Sequence, residues 1–192
     1  YTVGNIWYYS NSAGKMQTGW IKSNGRYYYT SGSGAMMTGW IFVGNKWYYL
    51  DDSGAMLTGW YKVKGVWYYS NSSGEMLTGL HTIGQSKYYL AGNGAMATGW
   101  IKPDNSWYYL NASGTMATGW LRLGNDWYYL NDDGDVTVNE RVDEYYVDGD
   151  GKMVKNKWVS PEGEETYDSP DSASDQEWNY FDKNGKIVTS RW

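Results

Sequence analysis

The stretch Gly39–Thr58, "GWIFVGNKWYYLDDSGAMLT", decides the reading of this chain. Two short runs of aromatic and β-branched residues, 40–43 and 46–50, flank Gly44-Asn45, a pair suited to positive φ. With that pair as a two-residue hairpin turn, Trp40 lies opposite Tyr49 and Phe42 opposite Trp47. Side chains alternate along a strand, so these four share one face of the hairpin, while Ile41 and Tyr48 share the other. "DDSGAM" then reverses the chain, with Gly54 as the expected left-handed residue.

Nearly the same words return every twenty residues. Gly-Trp stands at 19–20, 39–40, 59–60, 99–100 and 119–120, with Gly79-Leu80 as the departure. An aromatic triplet follows each: YYY at 27–29, WYY at 47–49, 67–69, 107–109 and 127–129, and KYY at 87–89. A further WYY at 7–9 opens the pattern. Gly-x-Met recurs at 14–16, 34–36, 54–56, 74–76, 94–96 and 114–116. A single hairpin cannot fold alone, but stacked neighbours bury one another's faces. The expectation is all-β: an elongated β-hairpin solenoid of about 20-residue repeats. A propeller blade needs more chain than one unit supplies, and a closed barrel is the other alternative.

Residues 1–134 hold the regular repeats, and 135–192 read as degenerate terminal ones. "EYYVDGDGKMV" (144–154) keeps the Tyr, Gly and Met slots of "WYYLNASGTMA" (107–117), with a shorter hairpin and no Gly-Trp. Trp158 resumes the Gly-Trp slot, and Trp178 the start of the next triplet. Between them lies an acidic, Ser- and Pro-containing insertion at about 159–177. Trp192 falls where another repeat would begin, so the end reads as a cap or a junction to a missing domain.

Composition restricts the chemistry. Among 192 residues there are 21 Tyr, 13 Trp, 2 Phe and no Cys, so disulfides and thiolate chemistry are excluded. Leu, Ile and Val are sparse and mean hydropathy is −0.69, which argues against a conventional aliphatic core. The net charge of −5 is unevenly spread. Residues 1–131 carry nine Lys/Arg against five Asp/Glu, and 132–192 carry seven against sixteen. The mildly basic part suits a polyanionic wall polymer, without the dense basic stripe of a nucleic-acid binder. No run is long and apolar enough for membrane insertion. Tyr1 begins mid-pattern without a signal peptide, as in a mature or excised segment.

The aromatics must form core, for want of other material. That role explains Tyr48, Tyr68 and their equivalents, paired with Ile or Leu. It explains less well the Trp pairs on the opposite face. Trp40, Trp47 and Tyr49 facing Tyr68 of the next hairpin make a groove of π-faces without an acid. Such a cage suits a cation lacking N–H donors, a quaternary ammonium. Met56 is placed beside it as a polarizable lid.

On these residues the unit resembles the choline-binding repeat of Gram-positive, notably streptococcal, surface proteins. The match is close over 1–134 and loose beyond. The resemblance implies a left-handed superhelix of hairpins. It also implies choline held between successive repeats by two aromatics of one, one of the next and a nearby Met. The implied choline-binding sets are Trp20/Tyr27/Tyr48, Trp40/Trp47/Tyr68, Trp60/Trp67/Tyr88, Trp100/Trp107/Tyr128 and, across the irregular junction, Trp120/Trp127/Tyr145. Met36, Met56, Met76 and Met116 are the accompanying thioethers. Trp7 with Tyr28 would be a half-site, and the Leu80/Lys87 slot a silent one, leaving Tyr108 structural. The implied function is non-catalytic attachment of a parent protein to phosphocholine of teichoic or lipoteichoic acid at the cell surface. Choline or phosphocholine is the ligand and no cofactor is expected; the parent could carry a catalytic domain such as a murein hydrolase. Glucan-binding repeats share Gly-Trp and aromatic pairs and remain the rival, alongside a self-associating scaffold.

Other chemistry is poorly supported. His81, the only histidine, fills a slot held elsewhere by Ile21, Ile41, Tyr61, Ile101 and Leu121. "VDGDGK" fails as an EF-hand, since aligning Gly151 with the sixth position puts Tyr146 first and Lys157 twelfth; an irregular calcium site stays open. Glu162, Glu164, Glu165 and Asp168 read as a solvated charge run rather than an acid/base pair. Lys22, Lys62, Lys102 and Arg122 recur two residues after Gly-Trp. Two roles stay open for them: lining the cages to meet a ligand phosphate, or keeping the array soluble.

Overall fold

The computed structural model describes residues 1–4, 6–170 and 177–188. Trp192 and part of the acidic insertion lie outside them. The chain divides into two compact units, Tyr1–Ala97 and Thr98–Trp192, each described by itself. Both are all-β, runs of an all-β repeat solenoid of two-stranded antiparallel hairpins, with no helix among the described residues.

In the first unit the hairpin of Gly39–Val43 and Lys46–Leu50 has the register the sequence predicts: Trp40↔Tyr49, Ile41↔Tyr48 and Phe42↔Trp47. Gly44 and Asn45 both have positive φ, 58° and 61°. That pair of left-handed residues matches the twist of the strands it joins. The following loop is an Asx turn. The Asp51 carboxylate accepts from the amides of Ser53 and Ala55, and the Asp51 amide donates to the Ala55 carbonyl. Gly54 closes it at φ 81°, and bareness matters there too. A Cβ on Gly54 would lie 2.5 Å from Met36 Sδ, so the thioether of one repeat lies flat on the glycine of the next.

Successive hairpins are joined by main chain. The amides of Met56, Met76 and Met96 donate to the carbonyls of Tyr27, Trp47 and Trp67. The link needs no particular side chain, so it tolerates divergence between repeats. Beneath it runs a thin core that sparse aliphatics suffice to fill. The last residue of each second strand (Thr30, Leu50, Ser70, Leu90) is fully or almost fully buried. Full burial of one Leu side chain contributes about 1.5–3 kcal/mol. Where this file holds Ser70, the facing slot holds Tyr61 instead of Ile41, and their hydroxyls hydrogen-bond at 2.9 Å. The larger ring fills the volume a leucine would occupy, and neither hydroxyl is left unpaired.

The second unit repeats the scheme with Leu110 and Leu130 in the buried file. Pro103 lacks an amide, and the ladder of Gly99–Ile101 with Tyr108–Leu110 stops at Ile101. The divergent end keeps the main-chain rule. Val136, Met153 and Ile187 donate to the carbonyls of Trp107, Trp127 and Glu144. Here Tyr146, Val154, Val159 and Phe181, with Ile187 against them, form an ordinary hydrophobic cluster. Trp158 pairs with Tyr180 as Trp40 does with Tyr49, so it does occupy the Gly-Trp slot. The insertion begins as one more loop. Ser160 Oγ accepts from the amides of Glu162 and Glu164, and Glu165–Thr166 adds a third strand on the other edge of Lys157–Val159.

Candidate ligand cages

Trp40 stands at the base of a three-ring arrangement. Trp47 meets it at 6.4 Å between centroids and 87° between planes, and Tyr68 of the next hairpin at 4.9 Å and 65°. The hairpin register puts the two Trp on one face, and stacking brings the Tyr. Trp40 also meets its cross-strand partner Tyr49 at 5.0 Å, so it is structural as well. Trp47 is different: it stays 44% exposed, an indole in a folded chain with one flank in solvent. The three rings line an open cavity of about 280 Å³, together with Met76, Gly92 and Asn93.

The arrangement recurs. Trp60 meets Trp67 at 6.4 Å and Tyr88 at 4.9 Å; Trp100 meets Trp107 at 6.3 Å and Tyr128 at 5.0 Å. Trp20 meets Tyr48 at 4.8 Å, with Tyr27 exposed nearby in sequence. The junction set is complete: Trp120 meets Tyr145 at 5.1 Å, and both line a cavity of about 330 Å³ with Trp127, Met153 and Asn184. Trp7 and Tyr28 line another of about 320 Å³ with Met36 and Ser53.

The methionines need correction. Met56 is not the thioether of the Trp40 cavity; that is Met76. Met56 donates its amide to Tyr27 and lies against Gly74, one site earlier. The cause is the stacking, which carries each loop past the neighbouring hairpin. By the same offset Met96 is tied to Trp67, Val136 replaces the thioether beside Trp100 and Trp107, and Met153 serves Trp127. Met36 serves Trp7, and Met116 lies against Gly134. The sequence reading missed Met96, Val136 and Met153, and also the turn residues Asn93 and Asn184. The thioether slot lies one unit downstream and the turn slot two, and register within one repeat does not reveal either.

Of the recurrent cations, Arg122 donates its Nε–H to the Gly124 carbonyl, while the three lysines sit on the aromatics. Lys22 Nζ lies 5.2 Å from the Tyr27 centroid, Lys62 5.6 Å from Trp67 and Lys102 5.5 Å from Trp107. Each is the cross-strand partner of the second cage aromatic, or stands in that slot. His81 Nε2 is 2.9 Å from the Thr78 carbonyl, a local backbone contact. Leu80 is half exposed, in the first unit. Tyr108, in the second, is buried, and its hydroxyl donates to Asp104 at 3.1 Å. Burial, with Asp135 and Asp104 as acceptors, pushes that phenol up to about 12. Glu165 of the acidic run is paired with Lys157 at 2.6 Å. Among the described residues no three His, Cys, Asp or Glu side chains gather as metal ligands, and no helix is long and apolar enough to cross a membrane.

The choline-binding repeat family model matches residues 1–39, 37–78, 77–118 and 97–141. No curated protein matches the chain. Among solved structures it is similar to CbpJ of Streptococcus pneumoniae, at 42% identity and TM-score 0.78 over 80% of this chain and 57% of that one. Choline binding protein F of the same organism matches at 40% and 0.76, over 80% and 56%. The modular autolysin LytC, also from S. pneumoniae, matches at 25% and 0.60, over 98% and 46%. The chain thus spans little more than half the length of CbpJ and of choline binding protein F.

Proposed function

Because the chain belongs to the choline-binding repeat family, we propose that its cages hold choline, and that several cages together attach a parent protein to phosphocholine-bearing teichoic or lipoteichoic acid at the cell surface. The observation that supports this best is the recurrence of near-perpendicular rings around an open cavity, with the outermost indole exposed (Trp47 44%, Trp67 41%, Trp107 48%). A trimethylammonium group has a spread positive charge and no N–H to satisfy. Ring quadrupoles attract it, and desolvating it leaves no donor unpaired. A primary ammonium would leave its three donors unmet among three carbon faces, whereas a tertiary ammonium has only one to satisfy. Each ring contributes about 0.5–2 kcal/mol, so three give a site of roughly millimolar affinity.

Such a site holds one ligand briefly. Several on one chain, facing a polymer of repeated phosphocholines, engage at high effective concentration once the first is bound. The module itself is non-catalytic; any hydrolase activity belongs to sequence joined to it. Isothermal calorimetry on the folded chain should show choline binding at several sites. The protein should be retained on an immobilised tertiary-amine matrix, released by free choline, and not retained on dextran. Retention on dextran with no choline heat would favour the glucan-binding alternative and overturn this reading.

A further inference from the structure

The residue immediately before the turn glycine lines each of four cavities, although it comes from far along the chain. It is Ser53 beside Trp7 and Tyr28, and Asn93 beside Trp40 and Trp47. It is Asn184 beside Trp120 and Trp127, and Asp150 beside Trp100 and Trp107. Three of these are neutral and one carries a carboxylate. Resting on the choline reading above, we propose that this turn position sets which headgroup charge a cage accepts. Asp150 tunes the Trp100/Trp107/Tyr128 cage toward a bare quaternary ammonium cation and against the same cation carrying a phosphate.

The charges around Asp150 leave its field standing. Lys152 is the neighbouring cation, and its ammonium is held at 3.0 Å by Asp126. Asp148 accepts from the amides of Asp150 and Lys152 and adds a second carboxylate to the same turn. Lys102 lies over Trp107. Against these two lysines stand three carboxylates, so the surroundings of the cavity are net negative. Around the Trp40 cage Lys46 and Glu75 are paired with each other, and the slot of Lys102 holds neutral Phe42; sixty residues on, the slots of Lys46 and Glu75 hold Ser106 and Asp135. The aromatic walls are otherwise alike: Trp100–Trp107 and Trp40–Trp47 separations are 6.3 and 6.4 Å. The thioether of the Trp40 cage is replaced by Val136, which bears no charge.

A choline cation in this cage gains attraction from Asp150. Phosphocholine brings an anion to the same mouth and meets repulsion. Coulomb's law across a few ångströms of wet protein gives a ratio of about three- to tenfold between the ligands, and salt reduces it.

Indole N–H resonances of Trp47 and Trp107, assigned with Trp47→Phe and Trp107→Phe, report the two cages separately in the full chain. Choline and phosphocholine are titrated against each at low salt and again at high salt. The phosphocholine-to-choline affinity ratio should be about three- to tenfold lower at Trp107 than at Trp47. Asp150→Asn should bring the two cages level, and Asn93→Asp should impose the preference on Trp47. Equal ratios in the unmodified protein overturn the proposal while leaving choline binding intact. A difference that survives Asp150→Asn also overturns it, and assigns selectivity to Val136 and the cavity shape. If neither ligand perturbs either indole, the choline reading falls and this proposal with it.

Discussion

The regular hairpins around Trp40 and the divergent end around Phe181 use one backbone scheme for opposite purposes. In the first, the second Trp of each pair is left half in solvent, and the core is thin, chiefly the Leu50 file with Ile21, Ile41 and Tyr61 beside it. In the second, Tyr146, Val154, Val159 and Phe181 close on one another, and Trp178, in the slot of Trp47, is partly buried. Turn chemistry, the loop glycine and the main-chain link from loop to distant strand persist in both. The contrast teaches that the backbone carries the architecture. The side chains facing outward from it are free either to make a ligand cage or to add stability.

The largest expected break of this comparison is Phe181→Ala. Truncating a fully buried aromatic should cost about 3–5 kcal/mol. Denaturant melts should show that loss, while the Trp47 indole keeps its response to choline. Next comes Tyr61→Phe, which leaves the buried Ser70 hydroxyl without its partner and should cost about 1–3 kcal/mol. The double change Tyr61→Ile with Ser70→Leu recreates the neighbouring repeat and should recover most of that loss; no recovery would show the slots are not interchangeable. Trp47→Ala sharpens the contrast from the other side. It should remove about 0.5–2 kcal/mol of choline binding at one cage, read by titration, and leave the melting temperature almost unmoved. The smallest effect belongs to the exposed ion pairs Lys46–Glu75 and Lys186–Glu144, one in each region. Lys46→Gln and Lys186→Gln should each shift the denaturation midpoint only slightly, and not at all in high salt.

Much of this was legible in the sequence, for reasons particular residues make plain. Gly44-Asn45 fixed the turn, and the turn fixed the register, so the face shared by Trp40, Phe42, Trp47 and Tyr49 followed from strand geometry alone. The Trp40, Trp47 and Tyr68 groove was read from the hairpin faces and the other sets came through the family resemblance, and the structure brings those rings together. The thioethers were misassigned because proximity in sequence is a poor guide once loops pass a neighbouring hairpin: Met56 is nearer to Trp47 in the chain than Met76 is, yet Met76 lines the cavity. The thin core was hidden differently. Thr30, Leu50, Ser70 and Leu90 differ in polarity, so a search for apolar residues passes over a slot whose constant property is burial. Asp150 and Asn93 escaped notice as ordinary turn formers, which they also are.

One feature of the Trp40 cavity carries a rule of arithmetic. Trp40 and Trp47 belong to the stretch 39–58, Tyr68 and Met76 to 59–78, and Gly92 and Asn93 to 79–98. A complete cage is therefore owned by three consecutive repeats and by none singly. In any such array, valency trails repeat number by two, and lengthening by one repeat adds one whole site at once. Duplicating or deleting a repeat changes capacity in integer steps, while each new junction assembles a hybrid site from parts that were never neighbours before. An array of this kind can thus acquire new ligand preferences by shuffling its units, without a single point substitution.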